Sequence, residues 1–279
     1  MSWTISISHK TRYTYKDLVD RSYNELRMIP METKRQSVSR VSASIKPFPY
    51  MHSYRDYFGS NVIFFNLTKP HKSLEIEINS HVVTEDKREL PTKVTWRGLL
   101  NDKRYANLVE YILPTAVAPF DARLSEICFE LTKDLPPTEA VMAIMNWIRR
   151  EMSYQSGSTA ISTSSIEAWH QGYGVCQDFA HLGISLLRSI GIPARYVSGY
   201  FFHLADSEKT KTIGNSHAWL EVWLGDWYPF DPTNAVLVDE RYIILARGRD
   251  YFDVPPIRGV YFGPEVEESS VAVELRKVS

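Results

Sequence analysis

The residues that decide the fold are Gly172-Tyr-Gly-Val-Cys-Gln-Asp-Phe-Ala-His181, a glycine-rich turn that runs directly into a helix. Gly172 and Gly174 allow tight backbone geometry, and Cys176 falls at or beside the first helical residue. Free backbone N–H groups at a helix start stabilise a thiolate and can bind an oxyanion. Asp178 lies in the same first turn and opposes a thiolate by like charge, so we expect activation of Cys176 to require a histidine. The alternative is a buried, inert cysteine.

A histidine follows downstream, in the strand-like segment Ser216-His-Ala-Trp-Leu-Glu-Val222. Strand alternation places His217, Trp219 and Glu221 on one face. An imidazole between aromatic walls suits a general base. A lone histidine beside tryptophans is more often a satisfied core residue, so the segment alone does not decide between the two interpretations.

An aspartate completes the set, Asp231 in Tyr228-Pro-Phe-Asp-Pro-Thr-Asn234. The residues Leu224-Gly-Asp-Trp227 predict a hairpin turn, and antiparallel pairing would bring Asp231 beside His217. Asp231 would then orient the imidazole and stabilise its charged form, as the carboxylate of a nucleophilic triad does. The alternatives are a turn residue before Pro232 and a metal site that uses His217 and Asp231.

Composition narrows the class of protein. The chain has 279 residues, 44% of them hydrophobic, and a formal net charge of −1, which argues against a generally basic nucleic-acid binder. Cys128 and Cys176 belong to no Cys-x-x-Cys pair, so we expect no structural zinc site and no disulfide framework. The N-terminus lacks a signal peptide's apolar region and no stretch reaches the length of a membrane span. We therefore expect a cytoplasmic protein with reduced thiols and no membrane partner.

The first part of the chain reads as β structure. Four segments show the period-two alternation of half-buried strands, with turn residues between them. Strands joined by short turns predict an antiparallel β-sandwich over residues 1–98. The four predicted strands are residues 3–9, 37–46, 61–67 and 74–83.

The remainder, residues 99–279, reads as a second domain that mixes helices and strands, an α+β class. The charged stretch around residues 84–104 is the predicted boundary. Helices are predicted at 101–111, 119–135, 137–152 and 176–190, and strands at 194–200, 217–224, 227–230 and 271–275. The residues Phe179, Leu182, Leu186 and Ile190 would form the apolar face of the helix that begins at Cys176.

At this point the sequence resembles a known family. Gly-Val-Cys-Gln-Asp-Phe-Ala-His-Leu, Gly-Ile-Pro-Ala-Arg-Tyr-Val-Ser-Gly-Tyr, Ser-His-Ala-Trp-Leu-Glu-Val and Phe-Asp-Pro-Thr-Asn, in this order, are similar to the motifs of the transglutaminase-like superfamily, and of its bacterial cysteine-protease branch. The resemblance includes that branch's β-rich N-terminal domain, through Asn-Glu-Leu-Arg-Met-Ile-Pro (24–30) and Asp-Tyr-Phe-Gly-Ser-Asn (56–61). It thus extends over nearly the whole chain.

The resemblance implies a papain-like core in which Cys176, His217 and Asp231 form the triad, with no position substituted. It implies acyl transfer from a peptide or carboxamide carbonyl through a thioester on Cys176, without metal or cofactor. The expected reaction is hydrolysis of a peptide or protein substrate by a cysteine peptidase or amidase. Protein-glutamine transamidation, with an amine as the acceptor, is the first alternative. A non-catalytic binding scaffold on the same fold is the second.

The oxyanion of such a reaction needs two donors. The backbone N–H of Cys176 is a natural one, and a side chain should supply the other. Tyr154 and Gln171 are the candidate side chains, and we keep both as open expectations.

Overall fold

The structure of the protein is a computed structural model that describes residues 2–85, 89–203, 211–214 and 216–278. These residues form sixteen β-strands and five α-helices, with 3-10 helices at Tyr105–Tyr111 and Tyr251–Asp253. The strands are β1 (Ser2–Val19), β2 (Arg21–Ile29), β3 (Gln36–Lys46), β4 (Tyr50–Arg55), β5 (Asn61–Leu67), β6 (His71–Glu85), β7 (Ser153–Tyr154), β8 (Tyr173–Gly174), β9 (Ala194–Phe201), β10 (Lys211–Gly214), β11 (Ser216–Trp223), β12 (Trp227–Asp231), β13 (Val236–Leu237), β14 (Tyr242–Gly248), β15 (Ile257–Phe262) and β16 (Val266–Lys277). The helices are α1 (Trp96–Leu100), α2 (Ala122–Thr132), α3 (Pro137–Glu151), α4 (Ser165–Gln171) and α5 (Cys176–Ser189).

The N-terminal strands form the predicted antiparallel β-sandwich. One sheet has the order β10-β16-β1-β6-β3 and the other the order β15-β2-β5-β4. Alternate residues of β1 and β6 are buried, as the period-two pattern predicted, because successive side chains of a strand point to opposite faces. The apolar side chains between the sheets include Val19, Leu26, Met28, Phe65, Leu74 and Ile76.

The end of the chain completes this sandwich. β16 pairs with β1, with Ile7 opposite Leu275, and β15 pairs with β2, with Ile257 opposite Leu26. The strand predicted at residues 271–275 therefore forms as part of β16, but it lies in a sandwich sheet and not in the second domain, where the sequence pattern places it. The boundary between residues 98 and 99 stays a prediction.

The rest of the structure, here called the core, is built on a second five-stranded sheet, ordered β13-β12-β11-β9-β14 with antiparallel neighbours. Helix α5 packs against β11 and β9, and α2, α3 and α4 pack around α5. At the centre of this contact, a Cβ added to Gly183 of α5 would lie 2.6 Å from Cδ2 of Leu220 on β11. The helix and the sheet thus approach each other closely. This arrangement is the predicted α+β fold, with helices on an antiparallel sheet.

The helices differ from their predictions in two respects. The segment 101–111 forms a 3-10 helix from Tyr105, with α1 before it, in place of one α-helix. Helix α5 is buried on every side from Gln177 to Arg188, and not on a single apolar face, because it lies at the centre of the core. Among the helices that the structure describes, none is long and apolar enough to cross a membrane.

The sandwich and the core share a hydrophobic cluster, which includes Trp3, Ile5 and Val82 from the sandwich and Tyr200 and Ile243 from the core sheet. Polar contacts reinforce this shared cluster: the hydroxyl of Tyr200 lies 2.5 Å from Nδ1 of His9. The side-chain amide of Gln36 donates to the Ile244 carbonyl and accepts from the Ile244 N–H, both at 2.8 Å. The amide therefore pairs with β14 as another strand would.

Candidate active site

Cys176 is the first residue of α5 and is partly exposed. The preceding turn contains Gly172, which ends α4 with a positive φ of 76°. A Cβ on Gly174 would lie 2.7 Å from the carboxylate of Asp178, so only glycine fits this close approach. The backbone therefore favours glycine at both positions of the motif. The turn that these two glycines form places the thiol at the N-terminus of the helix.

Asp178 holds the turn together from inside the protein. It is fully buried, and its Oδ2 accepts hydrogen bonds from the Val175 N–H at 2.7 Å and the Thr159 hydroxyl at 2.6 Å. Burial raises the pKa of Asp178, and these hydrogen bonds oppose the rise. The side-chain amide of Gln177 donates to the Ile161 carbonyl at 3.2 Å. The segment 155–163 is thus fastened to the start of α5 at two points.

His217 is the second residue of β11 and lies between the other two candidates. Its Nε2 is 2.8 Å from Oδ2 of Asp231. Since Asp231 occupies Nε2, Nδ1 is the ring nitrogen that remains available to the thiol of Cys176. Burial lowers the pKa of His217, but the hydrogen bonds and negative charges of Asp231 and Cys176 outweigh burial and raise it to about 10.

Asp231 is fully buried at the end of β12 and has every lone pair engaged. Its Oδ2 accepts from His217, from the Tyr242 hydroxyl at 2.8 Å and from the side-chain amide of Asn234 at 2.7 Å. Its Oδ1 accepts from the backbone N–H groups of Thr233 and Asn234, at 2.9 and 3.3 Å. Burial raises the pKa of Asp231, but these donors outweigh it and hold the pKa below its ordinary value. The carboxylate is therefore fixed and ionised.

Aromatic rings enclose the imidazole of His217. The ring centroids of Phe201, Tyr242 and Trp219 lie 5.5, 5.9 and 6.1 Å from that of His217. Trp219 is fully buried, so it belongs to the core and does not line a cleft. Only 11% of the His217 side chain is exposed, which removes most of the water that would otherwise compete for its hydrogen bonds.

The structure thus brings Cys176, His217 and Asp231 together in the order that a nucleophilic triad requires. Tyr154 lies near them, because its strand β7 pairs in parallel with β8, which comes shortly before Cys176. Burial raises the pKa of the Tyr154 hydroxyl, and the charge of Cys176 raises it further. Tyr154 is 56% exposed. Gln171 is exposed at the end of α4. The roles of all five residues stay predictions.

Two residues of the site were missed in the sequence. Asn234 stands in the quoted aspartate motif, but nothing in its spacing indicated that it would hydrogen-bond Asp231 twice. Tyr242 lies on β14, outside every motif. The order of strands in the sheet, which alternation does not predict, places it beside Asp231.

Two family models match the chain. Residues 126–232 match the core of the transglutaminase-like superfamily, and residues 5–83 match the bacterial transglutaminase-like N-terminal region. Cys176, His217 and Asp231 all fall within the first match, and most of the sandwich falls within the second.

Similar proteins are found along the whole chain. An uncharacterized protein of Mycobacterium leprae is 38% identical over 280 residues, which cover 99% of this chain and all of the relative. One of Mycobacterium tuberculosis is 34% identical over 305 residues, covering 96% of this chain and 91% of the relative. The crystal structure of a proposed cysteine protease from Cytophaga hutchinsonii superposes with a TM-score of 0.77 at 22% identity, covering 100% of this chain and 93% of that one. This last likeness shows a common fold.

Proposed function

Because the chain belongs to the transglutaminase-like superfamily, we propose that it is a cysteine peptidase or amidase that transfers an acyl group to water through a thioester on Cys176. The observation that carries the proposal is the coupling of three side chains: His217 hydrogen-bonds Asp231, and both Asp231 and Cys176 raise the pKa of its imidazole. Fold alone would not support an activity, since related folds serve unrelated functions. An intact nucleophile, base and carboxylate do support one.

In the first step, the sulfur of Cys176 attacks the carbonyl carbon of a peptide or carboxamide. The raised pKa of His217 keeps its imidazole protonated at neutral pH, so it can pair with the thiolate before attack. The carbonyl oxygen becomes an oxyanion, which the Cys176 N–H at the start of α5 can bind. Tyr154 is our choice for the second donor, because the charge of Cys176 reaches its hydroxyl and the residue is exposed.

Collapse of this intermediate breaks the C–N bond. His217 gives its proton to the leaving amine, and the acyl group stays on sulfur as a thioester. The now neutral imidazole then takes a proton from water as the water attacks the thioester. The carboxylic acid is released, and the thiol and imidazole return to their starting state. Throughout, Asp231 holds Nε2, so that Nδ1 keeps facing the reacting atoms.

The first experiment measures the rate at which iodoacetamide alkylates the protein at mildly acidic pH. We expect rapid modification of Cys176 that disappears in His217→Ala. Cys176→Ala is the matched control, because the remaining thiol, Cys128, is buried and its pKa is raised by burial to about 12. Modification of Cys176 no faster than that of an ordinary thiol would reject the proposal in favour of a non-catalytic scaffold.

A second experiment identifies the acceptor. The protein is incubated with a peptide library, with and without a primary amine, and the products are analysed by mass spectrometry. We expect free acids in both cases. Incorporation of the amine into glutamine side chains, with little acid released, would replace hydrolysis by transamidation and leave the role of Cys176 intact.

We also propose that the protein acts in the cytoplasm, where a partly exposed thiol such as Cys176 stays reduced. Antibody detection after cell fractionation tests this. Recovery with the periplasmic or extracellular fraction would contradict it.

A further inference from the structure

A cleft of about 570 Å³ lies apart from Cys176, between the core sheet and the sandwich. One side is formed by residues 33–36 and 84–85 of the sandwich. The other side is the core sheet, on the face that carries His217 but further along the strands, at Glu221. Tyr242 lines the cleft and donates its hydroxyl to Asp231, so this residue stands between the cleft and the triad.

The floor of the cleft is an ion cluster of Arg195, Glu221 and Arg247. Arg195 and Glu221 stand opposite each other on β9 and β11, with Nε of Arg195 2.6 Å from Oε2. Nη2 of Arg247 donates to Oε1 at 2.8 Å. Only 4% of the Glu221 side chain is exposed. Burial raises the pKa of Glu221, but the two guanidinium groups outweigh it and keep the carboxyl ionised.

This cluster has one more positive charge than negative. A single carboxylate is shared by two guanidinium groups, whose side chains are 13% and 16% exposed. The rim of the cleft does not correct the imbalance, since Lys34 and Arg35 face Glu85 and Asp226 there. Asp239, which also lines the cleft, makes a double hydrogen bond with Arg241. A buried charge without a counter-ion is costly, so the floor favours an anion from outside.

Arg247 has a hydrogen-bond donor that is left without an acceptor. Its Nε is buried and has no acceptor within the part of the chain that the structure describes. Arg195 differs, because its guanidinium also lies over the Trp227 ring, 4.0 Å from the centroid. The excess charge of the floor is therefore concentrated on Arg247.

Apolar side chains stand beside the charged floor on the core-sheet side of the cleft. Trp227, Pro229 and Val238 stand on the side of β12, and Tyr242 and Ile244 on the side of β14. A charged floor beneath apolar walls fits a ligand with an anionic group at one end and an apolar body. An inorganic anion would leave these walls without a partner.

We propose that this cleft binds an organic carboxylate, with its carboxylate group on Arg247 and its apolar body against Trp227 and Val238. The inference goes beyond the catalytic proposal and does not depend on it. Cys176→Ala, which has no nucleophile, should bind the ligand as the unchanged protein does.

The experiment is isothermal titration calorimetry of the full-length protein at pH 7 with three probes: 3-phenylpropionate, its uncharged amide, and inorganic phosphate. We expect 3-phenylpropionate to bind, the amide to bind at least tenfold more weakly, and phosphate to bind more weakly than the phenyl carboxylate. Equal affinity for acid and amide, or no binding of the acid at millimolar concentration, would overturn the proposal. This comparison uses the unchanged protein and requires no variant to fold.

Two variants then locate the site. Arg247→Gln leaves Arg195 and Glu221 as a neutral pair, and we expect the affinity for 3-phenylpropionate to fall at least tenfold. Arg247→Lys is the matched control, because it keeps the positive charge and should keep most of the affinity. Circular dichroism checks that both variants are folded. Binding unaffected in a folded Arg247→Gln protein would show that the ligand lies elsewhere.

Discussion

At the scale of single residues, Asp231 determines the state of His217. The sequence motif identified both residues, since their types and order are specific. Their supporting donors could not be predicted, because Tyr242 reaches Asp231 only through the order of strands in the sheet. The same holds for Glu221, interpreted as a second polar group on the histidine face, which turned out to form a buried ion cluster with two arginines.

We expect Asp231→Asn to lower the pKa of His217. Burial alone lowers the pKa of this imidazole, and the charge of Asp231 is among the interactions that raise it to about 10. In the unchanged protein, the stabilising effect of the protonated imidazole is therefore complete below about pH 6.5 and is lost as the pH rises towards 10. In the variant, this loss should occur at lower pH.

Nuclear magnetic resonance titration of the histidine ring protons measures this shift. His181 serves as the internal control, since it is fully buried and burial lowers its pKa to about 3. Its signal should not titrate between pH 5 and 9 in either protein. An unchanged pKa of His217 in Asp231→Asn would contradict the assigned role of the carboxylate.

Tyr154→Phe tests the second oxyanion donor. We expect it to slow hydrolysis of an activated ester by about 10- to 100-fold, since loss of one such donor removes stabilisation only from the transition state. Alkylation of Cys176 by iodoacetamide should be unchanged, because that reaction forms no oxyanion. Gln171→Ala is the control for the other candidate and should retain the activity of the unchanged protein. The opposite pattern would transfer the role to Gln171.

At the scale of elements, α5 shows where sequence patterns have their limit. Its start was predicted from the glycine turn, and its first residue is Cys176 as expected. Its burial was underestimated, because an amphipathic pattern assumes a helix at the surface. Even His181 and Arg188 are buried, and Arg188 donates hydrogen bonds to the Ala194, Leu113 and Arg249 carbonyls.

The close approach of β9 and β14 leads to a further prediction at this scale. A Cβ on Gly199 of β9 would lie 2.0 Å from the Ile243 carbonyl oxygen on β14 and 2.5 Å from the Trp219 ring. We expect Gly199→Ala to lower the free energy of unfolding by about 3 kcal/mol or more, as severe overpacking does. Thermal and urea denaturation measure the change.

Gly157→Ala is the matched control for this substitution. Gly157 has a φ of 69°, in the left-handed region that favours glycine, but nothing lies within 4 Å of its added Cβ. Gly157→Ala should therefore lower the free energy of unfolding only by the cost of alanine in the left-handed backbone conformation, about 1 kcal/mol. Equal destabilisation by the two substitutions would show that the contact between β9 and β14 does not matter.

At the scale of the whole molecule, the sequence does not predict which strands pair with each other. Alternation predicts which face of a strand is buried, but it does not identify the neighbouring strand. This is why residues 1–98 were predicted as a complete sandwich. In the structure each sandwich sheet receives a strand from residues 257–277.

We therefore expect the fragment 1–98 not to fold on its own. Without β16 and β15, β1 and β2 would each lose a neighbour, and exposed edges of this length favour aggregation. A fragment that joins residues 1–98 to residues 257–278 by a flexible linker should show the circular dichroism of a folded sheet. If the fragment 1–98 shows a cooperative thermal transition by itself, the end of the chain is dispensable for the sandwich.

The pairing of first and last strands has a consequence for how the protein is made. A ribosome delivers β1 long before β16, so the two strands meet only after the residues up to Lys277 have been synthesised. Most multidomain chains acquire structure from the N-terminus while the rest is still being synthesised. Here the sandwich must wait for β16, and a message truncated before the codons for β16 yields a chain in which β1 never finds this neighbour.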